Sequence, residues 1–167
     1  MKRNLPIYCA ITFVTAVAVA AIVTADDSRN AKWTVANACV QENGESREVR
    51  GVKVEAIPSY NSRHTKGRGN AYIVTIGGKR IYISGDTGDV AEMRAMENID
   101  VAFLCMNVPF TMTVSEAASA VRDFKPAVVY PYPYHFRNQD NSLSDLVEFT
   151  QLVGADDGVE VRRRNWY

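Results

Sequence analysis

The sequence predicts an α/β chain in which a mixed sheet carries helices on one face. Three observations lead there. Two runs rich in β-branched residues, AYIVTI and KRIYI, flank Gly77-Gly78, the kind of two-residue turn that joins antiparallel strands. From Asp86 onward, stretches with helical spacing alternate with continuous apolar runs, the mark of strands buried on both faces. Antiparallel strands therefore come first and alternating helix and strand follow, with no repeat and no long linker between them.

The first 25 residues have a different character. Met1 to Arg3 is charged, residues 7–23 (IYCAITFVTAVAVAAIV) are apolar, and VTA precedes two aspartates. This is the layout of a cleavable signal peptide over residues 1–25, which implies a secreted or periplasmic product. The alternative is an uncleaved membrane anchor formed by residues 7–23, a run shorter than the ~20 apolar residues a spanning helix needs. Residues 26–39 follow as an N-terminal segment, polar from Asp26 to Lys32, and residues 40–167 as the folded unit. A mature chain of this size buries roughly two thirds of its unfolded surface.

Along the chain after the leader each element has a local signal. WTVANACV reads as a short edge strand, and Asn43-Gly44 as a turn. REVRGVKVEAIPSY alternates around Val49, Val52, Val54 and Ala56 and reads as one strand with a bulge at Gly51. NSRHTKGRGN is a polar loop. TGDVAEMRAMEN has Val90, Met93 and Met96 at helical spacing, with Asp89 as its cap. IDVAFLCM is a buried strand. TVSEAASAVRDF opens with a capping box, Thr113 to Glu116, and runs as a helix to Phe124. PAVVYPYPY is a second buried strand. NSLSDLVEFTQLVG is a helix with Leu143, Leu146, Val147 and Phe149 to one side, ended by Gly154. GVEVRRRNWY closes the sheet.

Composition narrows the function classes. The chain holds 19 basic and 19 acidic residues, so nucleic-acid binding has no support from overall charge. The basic run VRRR reads as a solvated strand face. Cys9 lies in the apolar leader. Export would permit a Cys39–Cys105 disulfide, but Cys105 ends a buried-strand pattern, and two free thiols are the preferred reading. No CxxC motif or Cys/His cluster suggests a structural zinc site.

Asp86 follows IYISG, and His135 follows VVYPYPY. Both stand at the C-terminal ends of predicted buried strands, where α/β folds build their sites. The loop carrying His64 also leaves a strand end, after Pro58, so three candidate ligands converge on one sheet edge. A carboxylate with imidazoles suits zinc or manganese. Taken singly, Asp86 reads first as a turn residue and His135 as a hydrogen-bonded strand-end histidine; it is the combination that points to a site.

Five segments together carry a resemblance: NGESREVRGVKVEAIPSYN, HTKGRGNAYIVTIGGKRIYISGDT, IDVAFLCMNVPFTMTVSEAA, FKPAVVYPYPYHF and GVEVRRRNWY. They closely resemble the C-terminal half of the metallo-β-lactamase superfamily, in its branch of lactonase-like, metal-dependent hydrolases. The resemblance covers roughly Val40 to Tyr167. It implies one half of an αββα sandwich, with a dinuclear metal site between two similar halves. It also implies that Asp86 is the metal-bridging carboxylate and His135 the last metal-binding histidine. Where relatives often supply an imidazole after the IPSYN strand, this chain has Asn61, a poor zinc ligand, with His64 as the substitute three residues on. A repeated Pro-Tyr pair precedes His135 and shifts its spacing. The superfamily's His-x-His-x-Asp-His loop has no counterpart in these 167 residues.

The metal expectation is therefore Asp86, His135 and His64 around zinc or another divalent ion, held weakly or not at all by this chain alone. Three functions are implied. One is a hydrolase-like protein for a small ester, lactone, amide or phosphoester, with little activity of its own. Another is a split hydrolase completed by a complementing half-domain. The third is a non-catalytic secreted interaction protein or truncated remnant, including a homodimer. Val52, Val54, Ile73, Ile81 and Ile83 are the residues expected on the face that a second half, or a second copy, would cover. Asn107 to Met112, Tyr132 and Tyr134 lie near the same edge with no assigned role.

Overall fold

The computed structural model describes residues 42–49, 51–132, 146–154 and 158–164. The seven described strands form one sheet: β1 (Ser46–Val49), β2 (Val52–Ser59), β3 (Gly69–Ile76), β4 (Lys79–Ile83), β5 (Val101–Leu104), β6 (Val128–Pro131) and β7 (Glu160–Val161). They lie across the sheet in sequence order. Pairing is antiparallel from β1 to β4 and parallel from β4 to β7. The described helices are α1 (Ala91–Arg94), α2 (Val114–Phe124) and α3 (Leu146–Val153).

Local chemistry explains the joins. Gly77 and Gly78 take φ values of +56° and +76°, and Ile76 pairs with Lys79 across them. Two consecutive left-handed residues match the twist of the flanking strands, and glycine reaches them without a Cβ penalty. In the parallel half each strand must return to the same end of the sheet before it can pair, which requires a crossover. Helix α2 is one such crossover. Its capping box is complete: Thr113 Oγ1 accepts from the Glu116 N–H, and the Glu116 carboxylate accepts from the Thr113 N–H at 2.8 Å.

Register assigns side chains to faces. Ala71, Ile73, Tyr82, Ala102, Leu104 and Val129 form one buried cluster with Met93 of α1, Val121 and Phe124 of α2, and Phe149 and Val153 of α3. Tyr82 meets Phe124 edge to face, with ring centroids 6.0 Å apart. The opposite face carries buried Val54, Ala56 and Val74 and half-buried Ile81, Ile83 and Val101. Phe103 and Tyr130 stack on it at 5.2 Å. All three described helices thus lie on one face.

Four expectations are corrected. The segment Arg47–Tyr60 is a hairpin, with Val49 paired to Val52 and Gly51 at φ +81°. Alternation continues unbroken through a tight turn, so the period could not show the reversal. Ile73 pairs with Tyr82 and belongs to the helix-covered face, whereas its neighbour Val74 pairs with Ile81 on the other. The first helix shrinks to Ala91–Arg94, and Asp89 caps nothing; its carboxylate receives Arg94 Nε at 2.6 Å and Nη2 at 2.7 Å. Arg94 also donates to Ser119 and Asp123, which ties α1 to α2. In α3, Phe149 and Val153, four residues apart, take the buried face, and Val147 is exposed. Residues 1–39, including Cys9 and Cys39, together with Tyr134, His135 and Leu143, lie outside the described residues.

Candidate functional site

Strand direction gathers the site. β4, β5 and β6 are parallel, and β2 runs the same way because two antiparallel steps separate it from β4. The C-terminal ends of β2, β4, β5 and β6 therefore reach one edge of the sheet. From that edge leave the loop 60–68, the Gly-Asp-Thr loop 84–88, the segment after Cys105, and Tyr132.

The Gly-Asp-Thr loop is fixed from below. Ser84 N donates to the Phe103 carbonyl at 3.0 Å. Ser84 Oγ accepts from Cys105 N at 3.0 Å, and Cys105 Sγ donates to the Thr87 carbonyl at 3.3 Å. Cys105 thus grips the loop on both sides of Asp86. Thr87, itself fully buried, donates its hydroxyl to the Tyr60 carbonyl at 3.2 Å, and Gly88 N donates to the same oxygen at 2.7 Å. Gly85 has φ +61°, and a Cβ there would stand 3.2 Å from the Asn70 carbonyl. Only glycine fits both demands.

The facing loop is organised by Asn61. Its Oδ1 accepts from Arg63 N at 2.8 Å and His64 N at 2.9 Å, and its Nδ2 donates to the Asp86 carbonyl at 2.8 Å. The residue that looked like a failed ligand is the brace between the two loops. The signal in the sequence was an asparagine at a strand end followed by polar residues, the setting of an Asx turn. With the loop so held, His64 Nδ1 lies 3.3 Å from Asp86 Oδ2. Asp86 is about one-quarter exposed; burial pushes its carboxyl above the ordinary range, and the neighbouring His64 pulls the other way.

Asp86 and His64 open onto a pocket of about 220 Å³, lined also by Ser59, Arg68, Asn70 and Gly85. Behind it, the Tyr132 hydroxyl is buried and makes no hydrogen bond of ordinary geometry, although it lies toward Ser84 and the Gly85 backbone. Burial holds it well above the usual phenol range, so it stays protonated.

Two of the three expected ligands are therefore side by side, and His135 lies outside the described residues. A separation of 3.3 Å suits two donors on one tetrahedral ion, whose bonds of about 2.1 Å place neighbouring donors roughly 3.4 Å apart. A catalytic zinc takes three protein ligands. Among the described residues no group of three His, Cys, Asp or Glu side chains is placed to hold a metal. The described donors do not by themselves fit a complete metal centre.

Comparison with known proteins agrees with the geometry. Residues 13–133 match the model of the beta-lactamase superfamily domain. A UPF0173 metal-dependent hydrolase of Pyrococcus abyssi is 36% identical over 115 residues, covering 64% of this chain and 50% of the relative. A UPF0173 metal-dependent hydrolase of Pelotomaculum thermopropionicum is 31% identical over 134 residues, covering 71% and 57%. This chain thus spans about half the length of the curated relatives it matches. Among solved structures, a metal-dependent hydrolase from Parabacteroides distasonis superposes with a TM-score of 0.67 at 39% identity, covering 78% of this chain and 59% of that one. A Zn-dependent hydrolase of the metallo-beta-lactamase superfamily from Thermotoga maritima shares the fold at 18% identity and a TM-score of 0.57, covering 75% and 72%. Sheet order, edge site and family match agree: the chain belongs to the beta-lactamase superfamily, among its metal-dependent hydrolase relatives.

Proposed function

We propose that this chain supplies one side of a metal-dependent hydrolytic site for a small ester, lactone, amide or phosphoester, and that it turns over little substrate alone. The carrying observation is the Asp86–His64 pair at 3.3 Å, on the strand-end edge of a fold whose relatives are named metal-dependent hydrolases. A bound divalent ion would supply an activated water at neutral pH. The chain's own share is different. Asp86 offers a carboxylate fixed from below, His64 offers an imidazole on an adjustable loop, and His135 adds a donor from beyond β6. The remaining donors, in this reading, come from a polypeptide bearing a His-x-His-x-Asp-His loop. The face of Ile81, Ile83, Phe103 and Tyr130 is where that polypeptide would pack.

The test is reconstitution. The chain is purified alone and with such a polypeptide, and retained metal and lactone or phosphodiester hydrolysis are measured. Stoichiometric metal and turnover are expected only in the mixture, and both are lost with Asp86→Ala. A tightly held metal and turnover in the chain alone would overturn the proposal.

A further inference from the structure

The loop between β2 and β3 carries four basic side chains, and three have partners. Arg63 lies 4.9 Å over the Phe110 ring. His64 faces Asp86. Lys66 is held by Glu92, whose carboxylate also accepts from the Tyr60 hydroxyl at 2.9 Å. Arg68 is the exception. Its guanidinium has no hydrogen bond or ion pair among the described residues, and it lines the pocket with Ser59, His64, Asn70, Gly85 and Asp86. Gly69 follows it, where a Cβ would stand 3.0 Å from the Ser59 carbonyl, so the backbone that aims Arg68 lies tight against β2.

The pocket lining therefore carries two kinds of charged group. The Asp86 carboxylate faces His64 at 3.3 Å. The Arg68 guanidinium, a planar fork of donors, has no anionic partner among the described residues. Guanidinium is the side chain best suited to bind carboxylate or phosphate oxygens in pairs. The pocket, about 220 Å³ and open to solvent on one side, has room for a carboxylate or phosphate group beside Arg68.

We infer that Arg68 is a specificity-determining residue, and that the pocket selects a small substrate carrying a carboxylate or phosphate group, docked on Arg68 while the bond to be broken lies beside Asp86. This rests on the reading of the Asp86 pocket as the hydrolytic site.

The experiment uses the full chain and needs neither metal nor turnover. Inorganic phosphate and acetate are titrated separately at low ionic strength, where surface charge is least screened. Amide and Arg68 Nε–H resonances are followed by NMR. Saturable shifts are expected at Arg68, Gly69 and Gly85 with at least one of the two anions. The tighter anion identifies the group. Arg68→Gln is expected to weaken binding about tenfold, the effect of losing a charge-assisted hydrogen bond. Arg68→Lys, which keeps the charge and loses the fork, is expected to fall between. Absence of saturable shifts with both anions, or equal shifts in Arg68→Gln, overturns the inference. The hydrolytic reading is judged separately, by retained metal in the reconstituted site, so either can fail without the other.

Discussion

The two loops that meet at the pocket are built in opposite ways. The Gly-Asp-Thr loop is held by buried groups from another strand: Cys105 binds it on both sides of Asp86, and the fully buried Thr87 anchors it to Tyr60. The loop of Arg63 and His64 is exposed and held by contacts open to water: its own Asn61, Arg63 over Phe110 and Lys66 on Glu92. One carboxylate is held by buried bonds, and the imidazole that faces it by bonds open to water. Two groups of one site can thus be placed by supports of very different burial.

That contrast can be broken at four points. The largest effect is expected at Gly85→Ala. A side chain there must adopt φ +61° against the Asn70 carbonyl, at a cost of about 2 kcal/mol read by denaturant unfolding. A variant as stable as the parent would show that the Asp86 loop is not fixed as described. Next is Cys105→Ala, which removes the bond to Thr87 and leaves a small void; a loss of about 1.5 kcal/mol is expected, with partial recovery in Cys105→Ser.

Asn61→Ala should cost less, about 1 kcal/mol or under, because its loop is open to water. Its effect should be local. Amide exchange is expected to quicken at Arg63 and His64 and to stay slow at Gly88, whose N–H bond to Tyr60 does not involve Asn61. Equal quickening at both loops would erase the contrast.

The smallest effect concerns pH. Burial raises the Asp86 carboxyl above its ordinary range, so the folded chain binds that proton more tightly than the unfolded one. The stability gained is complete below the unfolded carboxyl pKa, about 3.9, and is lost as pH rises through the folded value. At neutral pH, in the metal-free chain, the ionised group weighs against folding. Asp86→Asn is therefore expected to be slightly more stable than the parent at pH 7, with the gap closing on acidification. A parent that gains stability as Asp86 ionises would reverse the sign.

Much of this arrangement was legible in the sequence where one local rule sufficed. Gly77-Gly78 announced its hairpin, and Thr113 with Glu116 announced the start of α2. Asp86 could be placed at a strand end because a β-branched run stops there. What escaped notice needed partners distant in sequence. Asn61 reads as a missing histidine until the Asp86 carbonyl is seen 2.8 Å from its amide. The short α1 does not show in the spacing because Met96 stays buried at its helical interval although the helix stops at Arg94 and Asn98 turns to φ +57°. The sequence groups Ile73 with Ile81 and Ile83, while register puts it on the helix-covered face, because a period of two fixes which residues share a side but not which side the helices take.

Cys105 is buried and free, and burial pushes its thiol above the usual range. In that position it is inert toward alkylating reagents while the Asp86 loop is seated. Its Sγ–Thr87 bond must open before a reagent can arrive, so in a Cys9→Ser, Cys39→Ser background the labelling rate, once it no longer rises with reagent concentration, counts how often the loop lifts. The thiol is thus a built-in clock for the motion of the carboxylate it holds, readable without substrate, metal or partner. A ligand that seats against Asp86 should slow that clock.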